Sequence, residues 1–182
     1  MSVLLKSSIR KEKIAARNAL TDSVRTELSA QIVTRLKSYL TGGRIAFYHP
    51  LKSEADVFPL MKSYGICLPA VVSGSRILEF RKYATGQELE ESSYGTMQPG
   101  MDAEVVLPDI VVVPLVAFDR RGFRVGYGGG FYDATLETLR TKQNITAIGI
   151  AFSMQEVPQV PAEAHDSKLD MVITEKEIIA CT

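Results

Sequence analysis

The amino-acid sequence predicts an α/β fold, in which a mostly parallel central sheet is flanked by helices in a single layered domain over residues 1–182. Segments with helical spacing of apolar residues alternate along the chain with short β-branched runs. The most apolar run, DIVVVPLVAF at 109–118, lacks polar alternation, which is typical of a strand covered on both faces. No repeat, low-complexity segment or linker divides the chain, so one domain is the simplest arrangement.

Two helices are predicted at the start of the chain. Over residues 4–20 the basic side chains recur at helical spacing and share one face, namely Lys6, Arg10, Lys13 and Arg17. A stripe of this kind is typical of a solvated helix face. Thr21 and Asp22 can cap a second helix, in which apolar residues recur every four positions from Val24 to Leu40. Gly42 and Gly43 are expected to end it.

The remaining elements are short and bounded by turn residues. Strands are predicted at RIAFYHP (44–50), ICLPAVV (66–72), ILEFRKY (77–83), DIVVVPLVAF (109–118), TAIGIAF (146–152) and LDMVIT (169–174), the last being the final strand. Helices are predicted over 53–65 and near 130–141. The polar residues 84–104 are expected to form a long excursion.

Composition and charge exclude several classes of protein. Lys+Arg and Asp+Glu number 21 each, and no basic patch is interleaved with aromatic residues, so we expect no nucleic-acid partner. No apolar run approaches the ~18 residues of a membrane span, and the start of the chain has no signal-peptide pattern. Two cysteines without a C-x-x-C pair indicate reduced thiols. We therefore expect a cytoplasmic protein without a membrane partner, and a monomer.

A glycine-rich loop is the most informative motif. RVGYGGGFYDATL at 124–136 has four glycines within five positions, although each glycine costs conformational entropy on folding. The loop follows a predicted strand and precedes a helix, whose free N–H groups and dipole favour an anion. Glycines let a phosphate approach the backbone, and Arg124 adds a forked cation. The loop is followed by FYD, whose two aromatic side chains could pack against a ring and whose carboxylate could bind a metal ion.

The standard phosphate-binding templates do not fit this loop. No Lys-Ser or Lys-Thr follows the glycines, as a P-loop requires, and Phe131 stands where G-x-G-x-x-G needs its last glycine. From the residues alone, a flexible connection whose glycines only form turns explains the loop equally well.

A longer segment identifies a family. PLVAFDRRGFRVGYGGGFYDATL at 114–136 closely resembles the signature of 5-formyltetrahydrofolate cyclo-ligases, also called methenyltetrahydrofolate synthetases. The pattern ends in Arg-x-Gly-x-Gly-x-Gly, an aromatic residue and Tyr-Asp. Three further segments are similar to the family: the lysine and arginine four residues apart in the first helix, SEADV at 53–57, and VPAEAHDSKLDMVIT at 160–174. The resemblance is weakest over residues 70–100, where the folate pocket is partly built.

The resemblance implies an enzyme, a C–N bond-forming ligase. Such enzymes use ATP as co-substrate and Mg²⁺ to convert 5-formyltetrahydrofolate into 5,10-methenyltetrahydrofolate, releasing ADP and phosphate. The formyl oxygen would be phosphorylated, the neighbouring folate nitrogen would attack, and phosphate would leave. Such chemistry needs positioning and charge compensation more than a protein nucleophile. The sequence agrees, because it contains no convincing Ser/His/Asp or Cys/His set.

The resemblance also implies roles for individual residues. The residues it places at ATP are Lys6, Arg10, Arg124, Gly126, Gly128, Gly129, Gly130, Phe131 and Tyr132, with Arg124 catalytic. Those it places at the folate are Glu54, Gly128 and Tyr132. The magnesium ligands it implies are Asp133 and Asp166, partly through water. Some members carry a basic residue in the loop, where this chain has Tyr127 and Gly129, so charge compensation would rest on Arg124, the first helix and the metal.

Other interpretations remain open at this stage. Glu54 could be a surface turn residue, Asp133 a first-turn carboxylate of a helix, and Asp166 a partner of Lys168. Asp119 is expected to form a turn, and Asp170 is a second candidate for metal. The alternative functions are a paralogue acting on another small molecule and a non-catalytic nucleotide or folate binder.

Overall fold

The computed structural model describes residues 2–181, which contain four α-helices and eleven β-strands. The helices are α1 (Ser2–Asn18), α2 (Asp22–Lys37), α3 (Phe58–Met61) and α4 (Phe131–Lys142). The strands are β1 (Ile45–Ala46), β2 (Ile66–Ala70), β3 (Glu79–Tyr83), β4 (Glu90–Glu91), β5 (Met97–Gln98), β6 (Ile110–Pro114), β7 (Ala117–Phe118), β8 (Arg124–Val125), β9 (Thr146–Ile150), β10 (Met171–Ile173) and β11 (Ile178–Ala180). Within the described part of the chain, no helix has the length and apolar character needed to cross a bilayer.

Seven of the strands form one sheet, in the order β11–β10–β9–β6–β1–β2–β3. The five inner strands run parallel to one another, and only the edge strands β3 and β11 are antiparallel to their neighbours. This arrangement confirms the predicted fold class. Strand β6 lies in the middle of the sheet, as its continuous apolar run predicts.

Each face of the sheet packs against its own helices. Successive residues of a strand point to opposite faces, so Val112 joins the core beneath α2 and α3 whereas Val111 joins the core beneath α4. Ile32 and Leu36 of α2 are fully buried on the first side, and Leu136 of α4 is fully buried on the second. Helices α2, α3 and α4 therefore cover the two faces of the sheet.

The structure corrects several predicted boundaries. The strand expected over 44–50 pairs only at Ile45–Ala46, and the helix expected over 53–65 is reduced to Phe58–Met61. The excursion at 84–104 contains the small hairpin β4–β5. LDMVIT does not end the sheet, because the chain turns back and adds β11 antiparallel to β10.

The strand predicted over 109–118 is divided in two. The amide of Leu115 still donates to the carbonyl oxygen of Ile150 in β9 (3.2 Å), but the amide of Val116 donates to the carbonyl oxygen of Val125 (3.0 Å). The chain thus leaves the main sheet after β6 and forms the hairpin β7–β8. This hairpin leads directly into the glycine loop, residues 126–130.

Gly149→Ala is expected to destabilise the protein by about 1–3 kcal/mol through overpacking. A Cβ added in the middle of β9 would lie 2.6 Å from Leu169 Cδ1 and 2.7 Å from Leu115 Cδ1, and both leucines are buried. Urea unfolding measures the change. Gly65→Ala is the control, because within the described part of the chain its added Cβ meets no atom within 4 Å beyond its two chain neighbours. Equal effects of the two substitutions would contradict overpacking at Gly149.

Candidate active site

Helix α1 lies across the carboxyl ends of the central strands, the edge at which α/β folds bind ligands. Arg17 donates from Nη1 to the carbonyl oxygen of Leu115, directly after β6 (3.1 Å). Lys13 donates from Nζ to the carbonyl oxygen of Met154, just beyond β9 (2.9 Å). These contacts show that the solvated-face interpretation of Lys13 and Arg17 was wrong, since Arg17 is only 2% exposed.

The glycine loop lies beside the same helix. Arg10 donates from Nε to the carbonyl oxygen of Gly126 (2.6 Å). Gly128 has φ +104°, and a Cβ there would lie 3.5 Å from the Arg10 guanidinium. Gly130 has φ +69° and precedes α4, whose first turn receives no side-chain cap. Backbone conformations that favour glycine thus bring an open helix N-terminus towards a basic side chain, which suits an anion.

Arg124 lies behind this loop and is almost fully buried. Its Nη2 donates to Asp133 Oδ1 (2.7 Å), and its Nη1 donates to the carbonyl oxygen of Ser167. Burial lowers the pKa of the guanidinium, and the charges of Asp133 and Asp166 oppose this shift. Arg124 is therefore held by two fixed partners. Asp133 lies in the first turn of α4, as expected if it is a first-turn carboxylate of that helix.

Lys6 and Asp166 form a second ion pair at this edge. Lys6 Nζ lies 2.6 Å from Asp166 Oδ2 and 3.2 Å from Glu163 Oε2. Burial lowers the pKa of Lys6, but the hydrogen bonds to the two carboxylates outweigh it, and the pKa is raised. Asp166 therefore pairs with Lys6 from α1 rather than with Lys168.

The carboxylates retain oxygens that fit a magnesium ion. Among residues 2–181, no hydrogen bond reaches Asp133 Oδ2 or Asp166 Oδ1, and neither oxygen is buried without a partner. Magnesium takes one or two carboxylates and keeps several waters, so this donor set suits it. Glu163 and His165 also offer ligand atoms within 4.8 Å of Asp166. Glu163 is not among the residues predicted from the sequence, although it lies three residues before Asp166.

Glu54 is a buried carboxylate with one free oxygen. The residue is 4% exposed, so it is not the surface turn residue of the alternative interpretation. Its Oε2 accepts from the amide of Leu51 (2.8 Å), whereas its Oε1 has no hydrogen-bond partner in the described structure. Burial raises the pKa of Glu54, while the Leu51 amide, the charge of Arg17 and the nearby Tyr127 hydroxyl lower it. A buried oxygen without a partner indicates a ligand that donates hydrogen bonds.

Tyr132 lies between the two ends of the site. Burial raises the pKa of its hydroxyl, the charge of Glu54 raises it further, and that of Arg124 lowers it. Phe131, the neighbouring residue, contacts Tyr94 edge to face, with ring centroids 5.0 Å apart. Tyr94 lines a cleft of about 570 Å³ formed by residues 71–76 and 91–94 with Gln98. No residue of this cleft is among the site residues predicted from the sequence.

The other acidic candidates have structural partners. Asp119 is fully buried, and its Oδ1 accepts from the amides of Arg121 (3.0 Å) and Phe123 (3.2 Å), as expected of a turn residue. Asp170 accepts from the amide of Ala147 (2.7 Å) and from Arg140 (3.1 Å). Asp170 therefore supports β9 and α4, and we do not include it among the metal ligands.

Comparisons with known proteins identify relatives along most of the sequence. A profile of the 5-formyltetrahydrofolate cyclo-ligase family matches residues 4–175. The 5-formyltetrahydrofolate cyclo-ligase of Escherichia coli (strain K12) is 31% identical over 176 residues, which cover 89% of this chain and 96% of that protein. The enzyme of the same name from Haemophilus influenzae is 33% identical over 135 residues, which cover 69% and 72%.

Two solved structures share the fold. The NMR structure of Aquifex aeolicus 5,10-methenyltetrahydrofolate synthetase aligns with a TM-score of 0.80 and 29% identity, covering 97% of this chain and 92% of that one. The synthetase of Mycoplasma pneumoniae aligns with a TM-score of 0.74 and 27% identity, covering 93% and 98%. Because the profile, the Escherichia coli relative and the Aquifex aeolicus structure match most of its length, the chain belongs to the 5-formyltetrahydrofolate cyclo-ligase family and is a ligase.

Proposed function

We propose that the protein converts 5-formyltetrahydrofolate into 5,10-methenyltetrahydrofolate, with ATP as co-substrate and Mg²⁺ as cofactor. The single observation that carries the proposal is the convergence at one edge of the sheet. Two ion pairs, Lys6–Asp166 and Arg124–Asp133, lie beside the open glycine loop, and Tyr132, which follows it, is close enough to both Arg124 and the buried Glu54 for their charges to shift its pKa. The groups suited to bind phosphate and the carboxylate suited to bind a polar heterocycle are therefore neighbours.

On the phosphate side, the chain offers cations and backbone donors together. Arg10 reaches the loop from α1, Lys6 of the same helix pairs with Asp166, and the backbone of 126–130 presents amides at the start of α4. Arg124 then meets the γ-phosphoryl group, where its charge stabilises the transferring oxygens. Phe131 and Tyr132 bound the same space, next to nucleotide or folate. Asp133 and Asp166 would hold a magnesium ion, which would supply charge compensation for the phosphates.

On the folate side, Glu54 provides the recognition. Its unpartnered Oε1 and its neighbour Oε2 can accept from adjacent N–H groups of the pterin, which suit one carboxylate. Tyr132 and the backbone of Gly128 then lie next to the formyl-bearing nitrogen. The cleft at residues 71–76 and 91–94 is large enough to take the remainder of a folate.

The reaction follows from these positions without a protein nucleophile. The formyl oxygen attacks the γ-phosphorus of ATP, ADP leaves, and an iminophosphate forms at the formyl carbon. The neighbouring folate nitrogen attacks that carbon and releases its N–H proton to solvent, and loss of phosphate closes the methenyl bridge. The chain contributes orientation and fixed charges, which are what phosphoryl transfer requires.

The test of the proposal is formation of the methenyl product by purified protein, followed by its ultraviolet absorption with and without Mg-ATP. The two alternatives give different results. A non-catalytic binder retains folate affinity by calorimetry but forms no product. A paralogue for another small molecule neither binds the folate nor forms the product.

Asp133→Asn is expected to raise the magnesium concentration needed for half-maximal turnover by about tenfold without unfolding the protein. Asparagine keeps an acceptor for Arg124 and for the Ser167 amide (3.1 Å), but it loses the anionic oxygen offered to the metal. The measurement is turnover against Mg²⁺ concentration together with thermal unfolding. Asp170→Asn is the control with no expected change in the magnesium requirement. Unfolding of the Asp133 variant would show that its role in the helix dominates.

A further inference from the structure

Arg17 joins three segments of the site that are far apart in sequence. Its Nε donates to Ser53 Oγ (3.1 Å), its Nη1 to the carbonyl oxygen of Leu115 (3.1 Å) and its Nη2 to the hydroxyl of Tyr127 (2.6 Å). Ser53 directly precedes Glu54. One guanidinium therefore holds the acidic turn, the end of β6 and the glycine loop at the same time.

Tyr127 is the only residue of the loop 126–130 that has a side chain beyond Cα, because the other four are glycines. Its hydroxyl accepts from Arg17, and its ring lies 5.9 Å from the Arg17 guanidinium carbon. The backbone of Gly126 is held separately by Arg10. When Arg10 turns to a phosphate, as the proposed function requires, Tyr127 becomes the main side-chain anchor of the loop.

The same pair influences Glu54. Burial raises the pKa of Tyr127, and the negative charge of Glu54 raises it further. The positive charge of Arg17 lowers the pKa of both Tyr127 and Glu54. The other groups that sense the Glu54 charge are Tyr48 and Tyr132, and a tyrosine hydroxyl carries no charge at neutral pH. Arg17 is thus the cation that faces this buried carboxylate.

We propose that Arg17 and Tyr127 form a positioning pair, which anchors the glycine loop to the turn that carries Glu54 and so holds the phosphate-binding backbone in register with the folate-binding carboxylate. The proposal rests on the proposed function for its catalytic consequence. Its structural content, the anchoring of the loop, does not depend on any ligand.

Tyr127→Phe tests the pair with little risk to the fold, because Tyr127 is 48% exposed and phenylalanine keeps the ring over Arg17. Loss of a hydrogen bond to a charged donor lets the loop leave its productive position. We expect kcat to fall about tenfold while KM for the folate changes less than about threefold. Tyr39→Phe, an exposed tyrosine after α2, is the matched control.

A second readout needs no substrate. The ¹⁵N relaxation of the Gly126, Gly128, Gly129 and Gly130 amides reports the order of the ligand-free loop. We expect order parameters of about 0.85 in the parent and below about 0.6 in Tyr127→Phe. Equal values in the two proteins would overturn the proposal. If the parent forms no methenyl product, the proposed function fails, whereas the anchoring is still decided by relaxation alone.

Arg17→Lys completes a double-mutant cycle. Lysine keeps the charge, but its single nitrogen cannot reach the three acceptors on Ser53, Leu115 and Tyr127 that three separate guanidinium nitrogens contact. If the residues act as a pair, the double variant is no slower than the slower single variant. Multiplicative losses in kcat would show two independent roles and would contradict the proposal.

Discussion

Arg124→Ala is expected to lower turnover by about a hundredfold or more, while folate affinity changes by less than about threefold. The guanidinium is held by Asp133 and Ser167, and in our proposal it meets the γ-phosphoryl group as charge moves onto its oxygens. An interaction made mainly in the transition state lowers kcat without a matching loss of ground-state binding. Steady-state kinetics and calorimetry with the folate measure the two quantities.

The variant removes a buried ion pair, so its fold must be checked. Arg124→Lys keeps the charge but loses the forked contact to Asp133 and Ser167, and we expect intermediate turnover. Arg120→Ala is the control, because Arg120 is exposed and pairs with Glu156 and Glu177 on the surface. Unchanged turnover of a folded Arg124→Ala variant would show that Arg124 is not at the phosphates.

Glu54→Gln is expected to weaken folate binding by about a hundredfold at neutral pH, since two charge-assisted hydrogen bonds to the pterin are lost or weakened. Glutamine retains an acceptor for the Leu51 amide, so the turn is preserved. Asp56→Asn, in the same turn and exposed, is the matched control with unchanged affinity. Calorimetry without ATP measures the affinity; parent-like binding by Glu54→Gln would place the pterin elsewhere.

The pH dependence gives a second signature of Glu54. Because burial raises the pKa of this carboxyl, it takes up a proton at a higher pH than an ordinary glutamate. Folate affinity of the parent should therefore decline as the pH falls through that raised pKa, whereas that of Glu54→Gln should stay flat. For the free protein the sign is opposite: the raised pKa favours the folded state at low pH and costs stability as the pH rises. Glu54→Gln should consequently melt at a higher temperature than the parent at neutral pH.

The elements that could be predicted from sequence are those with local signals. The β-branched run of β6, the glycine loop and the start of α4 are encoded by neighbouring residues, and the structure has them near the predicted positions. Strand β11 and the hairpin β4–β5 were missed because two or three residues form them, too few for a period to show. Their pairing depends on strands already in place.

The site was predictable only where a family pattern exists. Lys6 and Asp166 were chosen separately, and only the fold shows that two residues 160 positions apart contact each other. Arg17 was misread because a basic stripe on a helix resembles a solvated face, while its partners Leu115 and Tyr127 lie 98 and 110 residues away. The cleft beside Tyr94 gave no signal, since loops from two regions form it.

The most direct test of the central claim is the stoichiometry of a single reaction mixture. Purified protein, 5-formyltetrahydrofolate, ATP and Mg²⁺ are combined, and methenyl product, ADP and phosphate are measured together. Our account predicts one ADP and one phosphate for each methenyl group, and no product when any one component is omitted. Methenyl formation without ATP, or ADP release without methenyl formation, would contradict phosphorylation of the formyl oxygen at this site.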